Sequence, residues 1–387
     1  MRKIAIATGT RADWGLLSGP SRALRERDDC QVTVLATNMH LSPRYGNTID
    51  EIRADGFTDI VTVPMPAETD TPLDAVKAMA ACQTAMAEAL DTLRPDLIVI
   101  LGDRFEMLAT ATAALMLRIP IVHIAGGEIS EGAVDDSIRH AITKMASLHL
   151  TAAEPYRRRV IAMGEEPQRV INTGAIGVYN ILHEPLLTRN ELEESIGMEL
   201  GDRAILVTYH PVTLDTPGAT PTMRATALLD ALSEFPDSRV IITYPNNDPA
   251  GREIIPLIEE YGRRHPERVR VIPSLGKRRY LSALRYVKVV AGNSSSGIVE
   301  VPSMGIPTVD VGIRQRGRLA SDSVIHCADS KEAIAEALRY ALSPEGQQRA
   351  RQATNPYSQP DTLDLMVKAI AETPLETLSS KKFHDIV

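Results

Sequence analysis

The opening stretch Lys3-Ile4-Ala5-Ile6-Ala7-Thr8, which runs into Gly9-Thr10-Arg11-Ala12-Asp13-Trp14-Gly15, decides the fold class. A short apolar run breaks at once into a glycine turn and then a helical start, the pattern of a buried first strand feeding a strand–turn–helix junction. Arg2 and Lys3 ahead of the run would suit a signal peptide. That reading needs a longer apolar region and a small-residue cleavage site, so a first strand in a cytoplasmic protein is expected instead.

Moving outward, the same rhythm repeats. Candidate strands are Lys3–Thr8, Gln31–Ala36, Asp59–Val63, Asp96–Leu101, Pro120–Ile124 and Arg169–Asn172, with helical patterns between them. The clearest helix runs from Leu73 to Leu93, where Met79, Met86, Leu90 and Leu93 recur at helical spacing. That stripe reads as core packing rather than an adaptable binding surface. Around Ile181 to Gly197 the rhythm is interrupted by Pro185 and the charged run Arg189–Glu194, a connection leading into a helix. Strands resume near Ala204–Thr208, Arg239–Thr243, Val269–Ile272, Val287–Ala291 and Pro307–Val311, and the tail holds one helix, Asp361–Ala371. Strand–helix alternation of this kind builds a parallel sheet covered on both faces. Two similar α/β halves with a cleft between them are therefore expected, with the chemistry beyond the carboxyl ends of the strands.

Composition narrows the function. The 387 residues suggest two or three domains at about 150 residues each. With 44% hydrophobic and 24% charged residues and a mean hydropathy of −0.09, the chain has ample core. Its 42 basic and 50 acidic residues give a net charge of −8, which argues against a nucleic-acid binder but allows a small phosphate ligand in a local basic pocket. Cys30, Cys82 and Cys327 lack metal or redox spacing. No metal site is evident, and no apolar run reaches the roughly 18 residues of a membrane span.

Polar clusters follow the strands. In Thr8–Gly15, Gly9 permits a tight turn and the helix start offers amides to an anion; Arg11 either contacts phosphate or pairs with Asp13. No G-x-G-x-x-G fingerprint supports a dinucleotide, and no Walker motif supports ATP hydrolysis. Leu101-Gly102-Asp103-Arg104 places a carboxylate beside a guanidinium. His123-Ile124-Ala125-Gly126-Gly127-Glu128 aims Glu128 past paired glycines, and Asp135-Asp136-Ser137-Ile138-Arg139-His140 begins a helix where one aspartate would cap free amides. In the second half, His210 ends a strand and is locked by Pro211, while Tyr244-Pro245-Asn246-Asn247-Asp248 reads as a turn. Gly292-Asn293-Ser294-Ser295-Ser296-Gly297 offers three hydroxyls at a helix start, an anion cradle. Glu300, one turn into that helix, suits a ribose diol, and Arg314, Arg316 and Arg318 suit a diphosphate. The second half thus offers a diphosphate and ribose site and the first half acids and bases, which suggests a nucleotide-sugar enzyme.

With these residues in hand, the chain closely resembles the hydrolysing UDP-N-acetylglucosamine 2-epimerases of sialic-acid-type pathways. The matching stretches are TGTRADWG, MHLSPRYGNT, LGDRFE, HIAGGE, DDSIRHAITK, YHPVT, NSSSGIVEVPS and GIRQRGR, in family order from residue 8 to 318. The resemblance implies a glycosyltransferase-B fold of two Rossmann-like domains facing a cleft. Residues 1–177 would form the first domain, completed by 355–387, whose helix crosses back; residues 178–354 would form the second. It also implies a metal-free and cofactor-free reaction of UDP-N-acetylglucosamine giving UDP and N-acetylmannosamine. UDP leaves by anti elimination to 2-acetamidoglucal, and water then adds with the opposite configuration at C2. By matching, Asp103, Glu128, Asp135 and Asp136 are the catalytic candidates. Arg11, Arg104, His210, Asn246, Ser294, Ser295, Glu300 and Arg314 would hold UDP, with His40 and Arg139 on the sugar side or in support. The family is usually dimeric or tetrameric, so a homo-oligomer is expected, with Leu73–Leu93 and Phe105–Leu117 as its interface.

Two departures bear on roles. Some relatives carry Glu where this chain has Ala125, which leaves Glu128 or Asp103 as the base, and Gly15 replaces a Ser found near the uridine in others. Competing readings are a non-hydrolysing epimerase, the same chemistry on UDP-N,N′-diacetylbacillosamine or GDP-GlcNAc, a glycosyltransferase, and a binding protein without catalysis. The clustered acids argue against the last two.

Overall fold

The computed structural model describes residues 1–66, 71–130, 134–212, 219–245 and 251–385. The chain divides into two compact units, one of Met1–Glu128, Asp135–Asn180 and Tyr357–Val387, the other of Ile129–Val134 and Ile181–Pro356. The chain passes between units after Asn180 and Pro356, against the expected 177 and 354, and one short segment of the N-terminal half groups with the second unit.

The first unit is a seven-stranded parallel sheet of β1 (Arg2–Thr8), β2 (Cys30–Thr37), β3 (Ile60–Val63), β4 (Leu97–Leu101), β5 (Ile121–Ile124), β6 (Leu148–Thr151) and β7 (Val170–Asn172), in the order β3-β2-β1-β4-β5-β6-β7. Strand alternation sends Ile4, Ile6, Leu97 and Val99 to one face and Ala5, Ala7, Ile98 and Ile100 to the other. The first face is covered by α1 (Arg11–Arg25) and by the C-terminal helix Thr362–Glu372, through Leu17, Met366 and Ile370. After α2 (Ile49–Ala54) come α3 (Pro72–Leu93) and α4 (Phe105–Met116), which cover the second face with Met86, Leu90, Met107 and Ala111. The next helix, α5 (Asp135–Met145), starts at the aspartate pair, as its sequence suggested.

The second unit repeats the plan with six parallel strands, β8 (Ile205–Thr208), β9 (Val240–Thr243), β10 (Val269–Ile272), β11 (Val289–Gly292), β12 (Thr308–Val311) and β13 (Val324–Cys327), in the order β10-β9-β8-β11-β12-β13. Two strands escaped the sequence reading. β6 stands only Ala146-Ser147 away from α5 and carries His149 among its four residues, and β13 is an edge strand whose His326 faces solvent. On α3 the buried line is Ala78, Cys82, Met86 and Leu90; Met79 and Leu93 of the expected stripe are half-buried.

Strand order reverses between β1 and β4 in the first unit and between β8 and β11 in the second. At such a switch point neighbouring loops diverge and leave a crevice beyond the strand ends. The motif loops sit there: Gly9–Asp13 after β1 and Gly102–Glu106 after β4, Tyr209–Val212 after β8 and Asn293–Ser296 after β11. Among the described residues no helix is long and apolar enough to cross a membrane.

Candidate active site

On the first unit, the carboxylates of Asp103 and Asp136 and the backbone of Glu128 meet one guanidinium. Arg139 lies in the first turns of α5 and is only 1% exposed. Its Nη2 pairs with Asp103 Oδ2 on the loop after β4. Its Nη1 donates to the Glu128 carbonyl at 3.0 Å and lies 3.5 Å from Asp136 Oδ1. One side chain therefore ties the loop after β4 to the turn after β5 and to the start of its own helix. A guanidinium suits this because its planar fork offers five donors at fixed angles. Asp136 also faces His140 Nε2 at 3.5 Å, and Asp135 occupies the first position of α5 beside it.

The turn that carries Glu128 is fixed from below. His123 is fully buried and donates through Nε2 to the Gly102 carbonyl at 2.8 Å, while its Nδ1 meets Thr143 Oγ1 at 3.1 Å. Burial pushes its imidazole down to about 3, so it is a neutral strut that links the β4 and β5 loops. Arg159 donates to the Gly127 carbonyl. Ala125 holds φ 65°, a left-handed conformation that residues with a side chain rarely adopt.

A second group of charges adjoins Asp103. Arg104 caps the start of α4, and its Nε donates to Glu106 Oε1 at 2.7 Å. Glu106 is completely buried and presses on the turn after β1: a Cβ on Gly9 would lie 2.5 Å from Oε1, so this position admits only glycine without rearrangement. Asp13 completes the group. It closes a capping box with Thr10, and burial raises its carboxyl to about 6, with Arg104 pulling it down and Glu106 pushing it up. Neither Asp13 nor Glu106 was singled out from sequence. Asp13 was read as a possible partner of Arg11, whereas Arg11 pairs with Glu51 at 2.8 Å.

His40 lies next to the second group, against the end of β1. It is fully buried, with Nε2 at 2.9 Å from Thr8 Oγ1 and Nδ1 at 2.8 Å from Thr48 Oγ1, and burial lowers its imidazole to about 4. Its ring nitrogens thus join the end of β1 to Thr48, just ahead of α2.

On the second unit, Asn293 organises the switch point. Its side chain accepts from the His210 amide at 2.7 Å and donates to the His210 carbonyl at 2.9 Å, clamping the β8 loop to the β11 loop. Its own carbonyl accepts from Arg314 Nη1 at 3.2 Å and Gln315 Nε2 at 2.8 Å, which brings in the loop after β12. Gly292 makes the approach possible, because at φ 129° a Cβ there would fall 2.0 Å from the Thr208 carbonyl oxygen. His210 is buried, and burial lowers its imidazole well below the ordinary value.

The serine run divides. Ser296 accepts a hydrogen bond from the Tyr280 hydroxyl at 2.7 Å, whereas Ser294 and Ser295 are half-buried on the loop ahead of the short helix Ser296–Val299. Glu300 follows that helix as its C-cap rather than lying one turn inside it. The three arginines have different surroundings: Arg314 donates to the Asn293 carbonyl, Arg318 donates to Ser130 Oγ at 3.2 Å, and Arg316 is exposed. Asn246 lies outside the described residues.

Two parallel-sheet α/β units, each with its motif loops gathered at a switch point, define a protein of the glycosyltransferase-B fold class. The chain belongs to the UDP-N-acetylglucosamine 2-epimerase family, which it matches over residues 22–371. It is 36% identical over 84% of its length to a GDP/UDP-N,N′-diacetylbacillosamine 2-epimerase (hydrolyzing) of Campylobacter jejuni, covering 84% of that protein. It is 34% identical over its whole length to a polysialic acid biosynthesis protein of Escherichia coli, covering 98% of it. Among solved structures, the UDP-GlcNAc 2-epimerase of Neisseria meningitidis bound to UDP-GlcNAc superposes with a TM-score of 0.78 at 15% identity, over 96% of this chain and all of that one.

Proposed function

We propose that this protein is a hydrolysing UDP-N-acetylglucosamine 2-epimerase that releases UDP and N-acetylmannosamine. The observation that carries the reading is the buried Arg139, which gathers Asp103, the Glu128 turn and Asp136 beyond the strand ends of the first unit. A binding protein gains nothing from crowding carboxylates where an anionic ligand is to be held, whereas proton transfer at carbon requires them.

In the first step the C2–H pair becomes the C1=C2 double bond, and the C1–O pair departs with UDP. Asp103 or Glu128 takes the C2 proton, and Arg139 holds both segments in place. Arg11, Arg104 and Arg314 offset the charge on the departing diphosphate, each charged hydrogen bond contributing about 1.5–3 kcal/mol. His210, Asn246, Ser294 and Ser295 hold the nucleotide, and Glu300 takes the ribose diol. In the second step water returns a hydroxyl to C1 and a proton to the opposite face of C2, with Asp135 and Asp136 at hand as acids.

The name of the Campylobacter jejuni relative favours a second reading, the same chemistry on a diacetylbacillosamine donor. Comparing kcat/KM for UDP-GlcNAc, UDP-N,N′-diacetylbacillosamine and GDP-GlcNAc decides between them. The first reading expects UDP-GlcNAc to lead. A lead of about tenfold or more for the diacetylated donor, the size of one lost polar contact, overturns it.

A further inference from the structure

Glu106 carries more cost than a helix-start acid needs to. Its side chain is completely buried, and among the described residues Oε2 has no hydrogen-bond partner. A buried carboxylate with one oxygen unsatisfied is expensive, and an acid in the first turn of a helix complements the dipole equally well from the surface. What the burial achieves is geometric. Oε1 lies 2.7 Å from Arg104 Nε, and Gly9 has given up its side chain at the place where the carboxylate rests. The Glu106 backbone is held as well, since its carbonyl accepts from Thr110 Oγ1 at 2.8 Å. The carboxylate therefore stands on a fixed support and grips Arg104 by Nε.

We propose that Glu106 is a positioning residue, which sets the guanidinium plane of Arg104 for the diphosphate of the substrate without touching the substrate itself. This rests on the nucleotide-sugar reading above. With Nε held by Glu106, rotation about the end of the arginine side chain is restricted, and the Nη groups present themselves to phosphate in one orientation. Less ordering is then left to be done when the ligand binds. The negative charge of Glu106 opposes a phosphate, so its contribution to binding has to come through Arg104.

That last point makes the proposal testable by a double-mutant cycle on UDP affinity, read by calorimetry with wild type, E106M, R104A and the double variant. Glu106→Met fills a similar volume but removes the acceptor. It is expected to weaken UDP binding about tenfold or more, the size of a lost charged contact, and to change it less than about threefold in the R104A background, within the scatter of independent sites. Glu106→Gln, which retains an oxygen for Nε, is expected to recover most of the loss. Should E106M not fold, E106D takes its place: the charge stays, the acceptor withdraws by one methylene, and the same Arg104-dependent loss is expected. Equal weakening in both backgrounds, or tighter binding on loss of the carboxylate, overturns the positioning role. If wild type itself binds no UDP, the nucleotide-sugar reading falls first and this proposal with it.

Discussion

Asp103 and Glu128 meet Arg139 differently, one through its carboxylate and the other through its carbonyl. Asp103→Asn keeps the size and most of the hydrogen bonding but removes one of the two candidate bases and the charge that Arg139 balances. Turnover is expected to fall about a hundredfold or more, the usual worth of a positioned acid–base group, while UDP affinity stays within a few-fold of wild type. Equal loss of both in parallel kinetic and binding measurements would count against a catalytic Asp103. Asp13 adds a pH dependence. Its carboxyl rises from an ordinary 3.8 to about 6 on folding, chiefly through burial. A raised folded-state value means that the folded protein binds this proton more tightly than the unfolded chain. The stability it contributes is complete below about pH 4 and is lost as pH rises through 6. Asp13→Asn, which can still accept from the Thr10 amide, is expected to flatten that part of the dependence of Tm on pH; an unchanged slope would remove Asp13 from the account. At this scale the sequence was informative wherever a motif placed unlike charges side by side, as with Asp103 and Arg104. It was silent on Glu106 and offered Asp13 only as a possible partner of Arg11, because only the folded sheet brings Gly9 and the start of α4 together.

At the scale of elements, the switch points depend on close approach of neighbouring strand ends. β8 and β11 pair in register up to Thr208 and Gly292, and there the backbone leaves no room for a Cβ. Gly292→Ala has to part the two strand ends and also adopt a φ of 129°. A loss of about 3 kcal/mol or more in urea unfolding is expected, the range of a severe core substitution; a change under about 0.5 kcal/mol, typical of a surface position, would show that the approach is not tight. Most elements were legible, since buried parallel strands leave near-continuous apolar runs; the structure adds capping boxes of Thr10 with Asp13 and Thr71 with Asp74 at the helix starts of the first unit. β6 was hidden because its four residues include His149 and follow α5 almost at once, and β13 because an edge strand needs only one buried side. The serine run is less uniform than its sequence suggests. Three serines in a row suggested three equivalent hydroxyls, but only Ser296 is held by Tyr280, which donates to it from a separate helix.

At the scale of the whole molecule, each unit is built to the same plan and specialised at its own switch point. The first unit concentrates carboxylates around Arg139 and uses a neutral His123 to lock the loops that carry them. The second concentrates donors around Asn293, which couples the β8, β11 and β12 loops through its side chain and its carbonyl. The C-terminal segment closes the first unit: the helix Thr362–Glu372 buries Met366 and Ile370 against its core, and Tyr357 meets Tyr156 hydroxyl to hydroxyl at 2.7 Å. This division of labour fits a reaction in which one region must hold a diphosphate and another must move a proton on and off carbon. Its most direct test is to incubate the protein with UDP-GlcNAc in D2O and follow the products by proton NMR. The account predicts free UDP together with N-acetylmannosamine deuterated at C2. UDP-N-acetylmannosamine without free UDP, or a product that keeps its original C2 proton, would contradict it.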